Sequence, residues 1–89
     1  MNSHITEDFR SLYRALPAPV REQARAAYRL FASAPRHPGL RFKKVHPTRP
    51  IFSVRAGIDY RAVGYRDGDE IYWFWIGSHS DYDHLLKQL

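Results

Sequence analysis

No cysteine occurs among the 89 residues. That excludes a disulfide and a thiolate metal site, and it fits a reducing compartment. Long apolar runs are missing as well. No stretch approaches the roughly 20 apolar residues that cross a bilayer, and Met1 to Arg14 carries charge throughout, unlike a secretory leader. The expectation is a cytoplasmic chain without a membrane partner. The length allows one small domain, residues 1–89, whose core is thin and which has no room for a cofactor-binding unit. His4, His37 and His84 are scattered and show no metal-ligand spacing, so neither metal nor cofactor is expected.

Acidic residues are scarce where basic ones are dense. Residues 36–66 hold eight Lys/Arg against Asp59 alone, whereas residues 67–89 hold five acids against Lys87. The formal charge of +5 is therefore concentrated in the middle third of the chain. Such a segment favours a polyanionic partner through counterion release and electrostatic steering. Solubility alone is the plainer explanation of a basic excess.

The apolar pattern changes period once. Ile5, Phe9, Leu12, Tyr13 and Leu16, then Val20, Ala24, Ala27, Tyr28 and Phe31, recur at three and four, which predicts two amphipathic helices broken at Pro17-Ala18-Pro19. Thr6 suits the cap of the first, and Pro19 the first turn of the second, which should run to about Ala34. After the loop Pro35 to Gly39 the pattern alternates. Strands are predicted over Leu40–Val45, Ile51–Arg55, Tyr60–Arg66 and Glu70–Gly77, with Asp67-Gly68 as the strongest hairpin signal. Ser80 and Asp83 suggest a capping box for a short last helix carrying Tyr82, Leu85, Leu86 and Leu89. The expected fold class is α+β: an N-terminal helical hairpin packed on a four-stranded antiparallel sheet, with a short C-terminal helix. Register across the hairpin places Arg61 opposite Phe74 or Trp75, according to whether the loop has two or three residues.

This order of elements, together with Ser53-Val54-Arg55, Asp59-Tyr60-Arg61, the Asp-Gly turn, the apolar strand and Ile76-Gly77-Ser78-His79, resembles the RelE/ParE superfamily of type II toxin–antitoxin toxins. The likeness spans nearly the whole chain and is most specific from about residue 51 to residue 82. It implies a small basic toxin that a cognate antitoxin silences. Most members cut mRNA on the ribosome without metal, and the ParE branch inhibits DNA gyrase instead. By the same resemblance, Arg61 matches the strand arginine that steadies the scissile phosphate. Lys43 and Lys44 lie in the basic strand that supplies lysines, and Tyr82 matches a C-terminal tyrosine. Gly77-Ser78-His79 departs from the broad family's Gly-His-Arg and is similar to the YafQ-like branch, where this segment provides a catalytic histidine.

The chemistry of metal-free RNA cleavage needs a base for the 2′-hydroxyl, an acid for the departing 5′-oxygen and cations facing the phosphorane. Histidine begins near the required pKa. His79 is the candidate acid and His46 a candidate base. Arg61 and Lys43 are the phosphate-holding cations, because a planar guanidinium addresses two phosphate oxygens at once. Arg41, Lys44, Arg55 and Tyr82 are the candidate RNA contacts. Trp73, Trp75 and Tyr72 carry enough π-surface to stack a base, although core packing is their commoner use. The expected function is a ribosome-dependent mRNA endoribonuclease, with antitoxin, ribosome and mRNA as partners. The alternative is a gyrase inhibitor, or a noncatalytic RNA- or protein-binding module, on the same fold.

Overall fold

The computed structural model describes all 89 residues, Met1–Leu89. In chain order the elements are β1 (Asn2–Ile5), α1 (Glu7–Arg14), α2 (Ala18–Ser33), a 3-10 turn (Pro38–Leu40), β2 (Lys43–Lys44), β3 (Ile51–Gly57), β4 (Tyr60–Asp67), β5 (Glu70–Ser78) and α3 (His79–Gln88). The five strands form one sheet in the order β1-β5-β4-β3-β2. Helices α1 and α2 pack on one face and α3 crosses the other. The α+β class is as expected, with one strand more than the periodicity suggested. Asn2–Ile5 pairs in parallel with Glu70–Trp73, so the sheet is mixed. Four residues ahead of a helix cap, only one of them a large aliphatic, give too short a pattern to read as a strand. Their partner, Glu70–Trp73, lies at the other end of the chain.

Helix α1 starts where expected. The Thr6 hydroxyl accepts from the Phe9 N–H at 3.2 Å, and Glu7 and Asp8 occupy the first turn, where the helix dipole favours acids. The Thr6 backbone N–H and hydroxyl both donate to the Trp73 carbonyl, at 3.0 and 3.1 Å. One residue thus ends β1 and begins α1. The principal core lies between the helical pair and the sheet, with Phe9, Phe31, Leu40, Val54, Ile71, Trp73 and Ile76 at its centre. Trp73 packs edge-on against Phe31, with ring centroids 5.4 Å apart, and belongs to this core. Full burial of a residue such as Ile71 stabilises the fold by about 1.5–3 kcal/mol. A second, smaller core forms under α3 from Ile51, Val63 and Tyr82, with Phe74, Trp75 and the leucines of α3 around them. Strand β5 is covered on both faces over most of its length, with Tyr72 exposed, which accounts for its unbroken apolar sequence.

Three local expectations change. The strand expected over Leu40–Val45 shrinks to Lys43–Lys44, because Pro38–Leu40 coils into a 3-10 turn and Arg41 takes a left-handed backbone, φ 49° and ψ 41°. The last helix is capped by Ser78 rather than Ser80: the Ser78 hydroxyl accepts from the Asp81 N–H at 3.1 Å. The hairpin loop is Gly68-Asp69, with Asp67 paired to Glu70, and Gly68 alone takes positive φ, 59°, as the first residue of a type II′ turn requires. A bulge between Val63 and Gly64 then shifts the pairing by one residue, so Arg61 lies opposite Gly77 rather than Phe74 or Trp75. The shift moves Arg61 from mid-sheet to the rim where β5 hands over to α3.

Candidate functional site

Cross-strand partners share a face, so the register assembles the site directly. Arg55 of β3 lies opposite Arg61 of β4, which lies opposite Gly77 of β5. Lys43 of β2 lies opposite Ser53, two residues before Arg55 and on the same face. Arg55, Arg61 and Lys43 therefore line the face that α3 only partly covers. Lys44 lies opposite Phe52, a neighbour of the helical-side core, and points away from them.

The rim is pinned from both layers. The Gln23 side chain of α2 accepts from the Ile58 N–H at 3.3 Å, holding the turn between β3 and β4. On the other side, the His79 N–H donates to the Asp59 carbonyl at 2.7 Å. That bond brings the first residue of α3 against the segment that ends in Arg61. A Cβ on Gly77 would stand 2.6 Å from the Trp75 indole. Only glycine there lets the indole lie along β5 beside the Arg61 position. Trp75 is half-buried with the α3 core, whereas Tyr72 is exposed and stacked on His4, with centroids 4.8 Å apart.

His79 presents a half-exposed imidazole. Its Nδ1 lies 3.4 Å from an Asp83 carboxylate oxygen one helical turn on, and its ring meets the edge of Tyr82 at 5.6 Å. With Nδ1 facing Asp83, Nε2 is the nitrogen left for a ligand. Tyr82 itself is buried and donates to the Ser53 hydroxyl at 2.9 Å. It is a strut under α3 rather than an exposed platform for a base. Ser53, only 2 % exposed, was missed from sequence; its signal is a lone small polar residue at an inward position of an apolar strand. Asp83 was read only as a cap partner, because a helix starting at Ser78 is needed to set it one turn beyond His79.

Electrostatics set Arg61 apart. Burial pushes its pKa below the ordinary arginine value, and repulsion from Arg55 and Arg41 acts in the same direction; Tyr82 and Asp59 offset part of this. The guanidinium stays protonated at any working pH. No carboxylate forms an ion pair with Arg41, Lys43, Arg55 or Arg61. Arg61 donates only to the neighbouring Tyr60 carbonyl, at 2.9 Å. The site holds like charges together without an internal answer to them.

His46 lies elsewhere. Its Nδ1 accepts from the Arg49 and Thr48 N–H groups at 2.9 and 3.2 Å, and its Nε2 donates to the Leu89 carbonyl at 3.0 Å. It thus sits at the end of α3 opposite His79, and a helix of this length separates the two by about 13–15 Å. The structure brings Arg61, Arg55 and His79 to one end of the sheet, sets Lys43 two residues inward on the same face, and leaves His46 and Lys44 apart. No three His, Asp or Glu side chains gather into a metal-binding group.

The family model for the ParE-like toxin domain matches residues 18–84, most of the chain. The chain belongs to the RelE/ParE superfamily of toxins. No curated protein matches it in sequence. Solved structures share its fold. A chain of the RelB–RelE antitoxin–toxin complex from Methanococcus jannaschii is 17% identical with a TM-score of 0.72, covering 91% of this chain and 96% of that one. YafQ from E. coli strain BL21(DE3) is 8% identical with a TM-score of 0.69 at the same coverages, 91% and 96%. The isolated E. coli RelE toxin is 17% identical with a TM-score of 0.65, covering 98% and 96%. At these identities the likeness of this superfamily toxin to its relatives is one of fold.

Proposed function

We propose that this toxin is a metal-free endoribonuclease that cuts mRNA on the ribosome and that a cognate antitoxin restrains. The observation that carries the reading is the register shift that sets Arg61 opposite Gly77, beside the backbone bond from His79 to Asp59. A phosphodiester lying across that rim meets the Arg61 fork, with Arg55 and Lys43 behind it and the His79 imidazole at its edge. Arg61 and Lys43 neutralise the phosphorane oxygens, and Arg55 and Arg41 add to the local field. His79 Nε2 gives a proton to the departing 5′-oxygen while Asp83 orients the ring through Nδ1. The attacking 2′-hydroxyl loses its proton to water or to a group supplied by the ribosome, since His46 is engaged elsewhere. The products are a 2′,3′-cyclic phosphate, or its hydrolysis product, and a free 5′-hydroxyl.

Relatives solved as antitoxin–toxin complexes support a cognate antitoxin, and the unanswered cations of this face suit a partner that brings acids to it. The matched model is that of a ParE-like domain. This favours a second reading, in which the same face inhibits a protein target such as DNA gyrase. Induced expression separates the two. Cleavage of a translated message, mapped by primer extension and lost in His79→Ala and Arg61→Ala, supports the nuclease. Intact message with DNA-damage signalling supports the gyrase reading. No growth defect at verified expression without antitoxin removes both.

A further inference from the structure

Between the end of α2 and β2 lies a cleft of which the proposed reaction uses only the charge of Arg41. It is lined by Pro35, Arg36, His37, Pro38, Arg41 and Phe42. Its polar lining is cationic or hydrogen-donating. The His37 Nδ1 accepts from the Gly39 N–H at 3.0 Å, which leaves Nε2–H as the ring donor. Arg36 and Arg41 are exposed and without a carboxylate partner.

Arg41 is the only residue other than glycine with positive φ. A left-handed backbone at a side-chain-bearing residue carries strain, and glycine or asparagine would fill the position more cheaply. Arginine occupies this position all the same, and its charge, which is felt at Arg61, ties the cleft to the rim. From this geometry we infer that the Pro35–Phe42 loop is a second anion subsite. It takes a phosphate of the same single RNA strand, at a nucleotide outside the one being cut, through Arg36, the His37 Nε2–H and Arg41. Arg41 faces both subsites and sets the direction in which the strand leaves the rim. Non-bridging phosphate oxygens suit this trio because each of the three groups donates and none accepts.

The inference rests on the reading of the rim as an RNA site, and the test keeps the two apart. A labelled 2′-O-methyl trinucleotide and a nonanucleotide retain their phosphates but lack the nucleophile, so binding is measured without cutting, by fluorescence anisotropy at several salt concentrations. Arg36→Gln is expected to weaken the nonanucleotide about three- to tenfold and to lower its salt slope by about 0.7, the value for one phosphate contact on a single strand. The trinucleotide should be unaffected. Arg61→Gln should weaken both lengths. Arg41→Gly, which relieves the backbone, should weaken the nonanucleotide without lowering the melting temperature. Unchanged nonanucleotide affinity and slope in Arg36→Gln, with both lengths still lost in Arg61→Gln, overturns the subsite and leaves the rim reading standing. A wild-type chain that binds neither length overturns both.

Discussion

The hydrogen bond from Tyr82 to Ser53 ties α3 to the sheet, and its removal has a magnitude that can be worked out. Both groups are buried, at 6 % and 2 % exposure, and the bond is 2.9 Å long. Tyr82→Phe leaves the Ser53 hydroxyl without its donor, and Ser53→Ala leaves the phenol without its acceptor. A buried polar group deprived of its partner costs about 1–3 kcal/mol. Removing both partners removes the penalty as well as the bond, so the double variant should cost clearly less than the two singles together, with a coupling of about 1 kcal/mol or more. For a domain of this size each kcal/mol moves the melting temperature by about 4–8 °C. The assay is a double-mutant cycle by urea unfolding, with matched slopes to guard the two-state assumption. Additivity within about 0.5 kcal/mol would refute the bond as a tie between layers.

Replacing Arg61 with Met should raise stability by up to about 1 kcal/mol, because like charges directly opposite on neighbouring strands destabilise a sheet; a lower midpoint in calorimetry counts against the crowding of Arg55 and Arg61. Gly77→Ala should cost about 1–3 kcal/mol by driving the Trp75 indole off the strand, visible as a change in tryptophan emission as well as in the unfolding midpoint. Gly68→Ala meets no atom within 4 Å, so its cost should be the backbone term alone, about 1–2 kcal/mol for a side chain held at positive φ. His46→Ala should cost about 1 kcal/mol and speed amide exchange at Thr48 and Arg49. Message cutting should persist at equal amounts of folded protein, and its disappearance would restore His46 as the base.

Elements with a full period of their own were legible in the sequence. Helices α1 and α2 show three- and four-residue spacing over several turns, and β3, β4 and β5 alternate or run apolar between clear turn residues. The N-terminal strand was not, since Asn2–Ile5 has only four residues and is stabilised by β5, more than sixty residues away in the chain. The loss of most of the Leu40–Val45 strand turns on the left-handed backbone at Arg41, which no propensity reveals. The site was partly legible: Arg61, Arg55, Lys43 and His79 stand out by type and charge. The place of Arg61 relative to His79 depended on a bulge between Val63 and Gly64, and a single inserted residue on one side of a ladder leaves no mark in an apolar string. His46 stands as a candidate base behind His79 in the sequence, which carries no information about which imidazole is already engaged by backbone amides.

The pairing of Asn2 with Glu70 and of Ile5 with Trp73 makes the first strand wait for the last. During translation the outer edge of the sheet cannot be sealed until Trp73 has left the ribosome, and the turn of α3 that positions His79 comes later still. A contact that joins such distant stretches is slow to form compared with a local hairpin. A nascent chain of this kind therefore keeps its first strand unpaired, and its rim unassembled, until the segment from β5 into α3 has emerged.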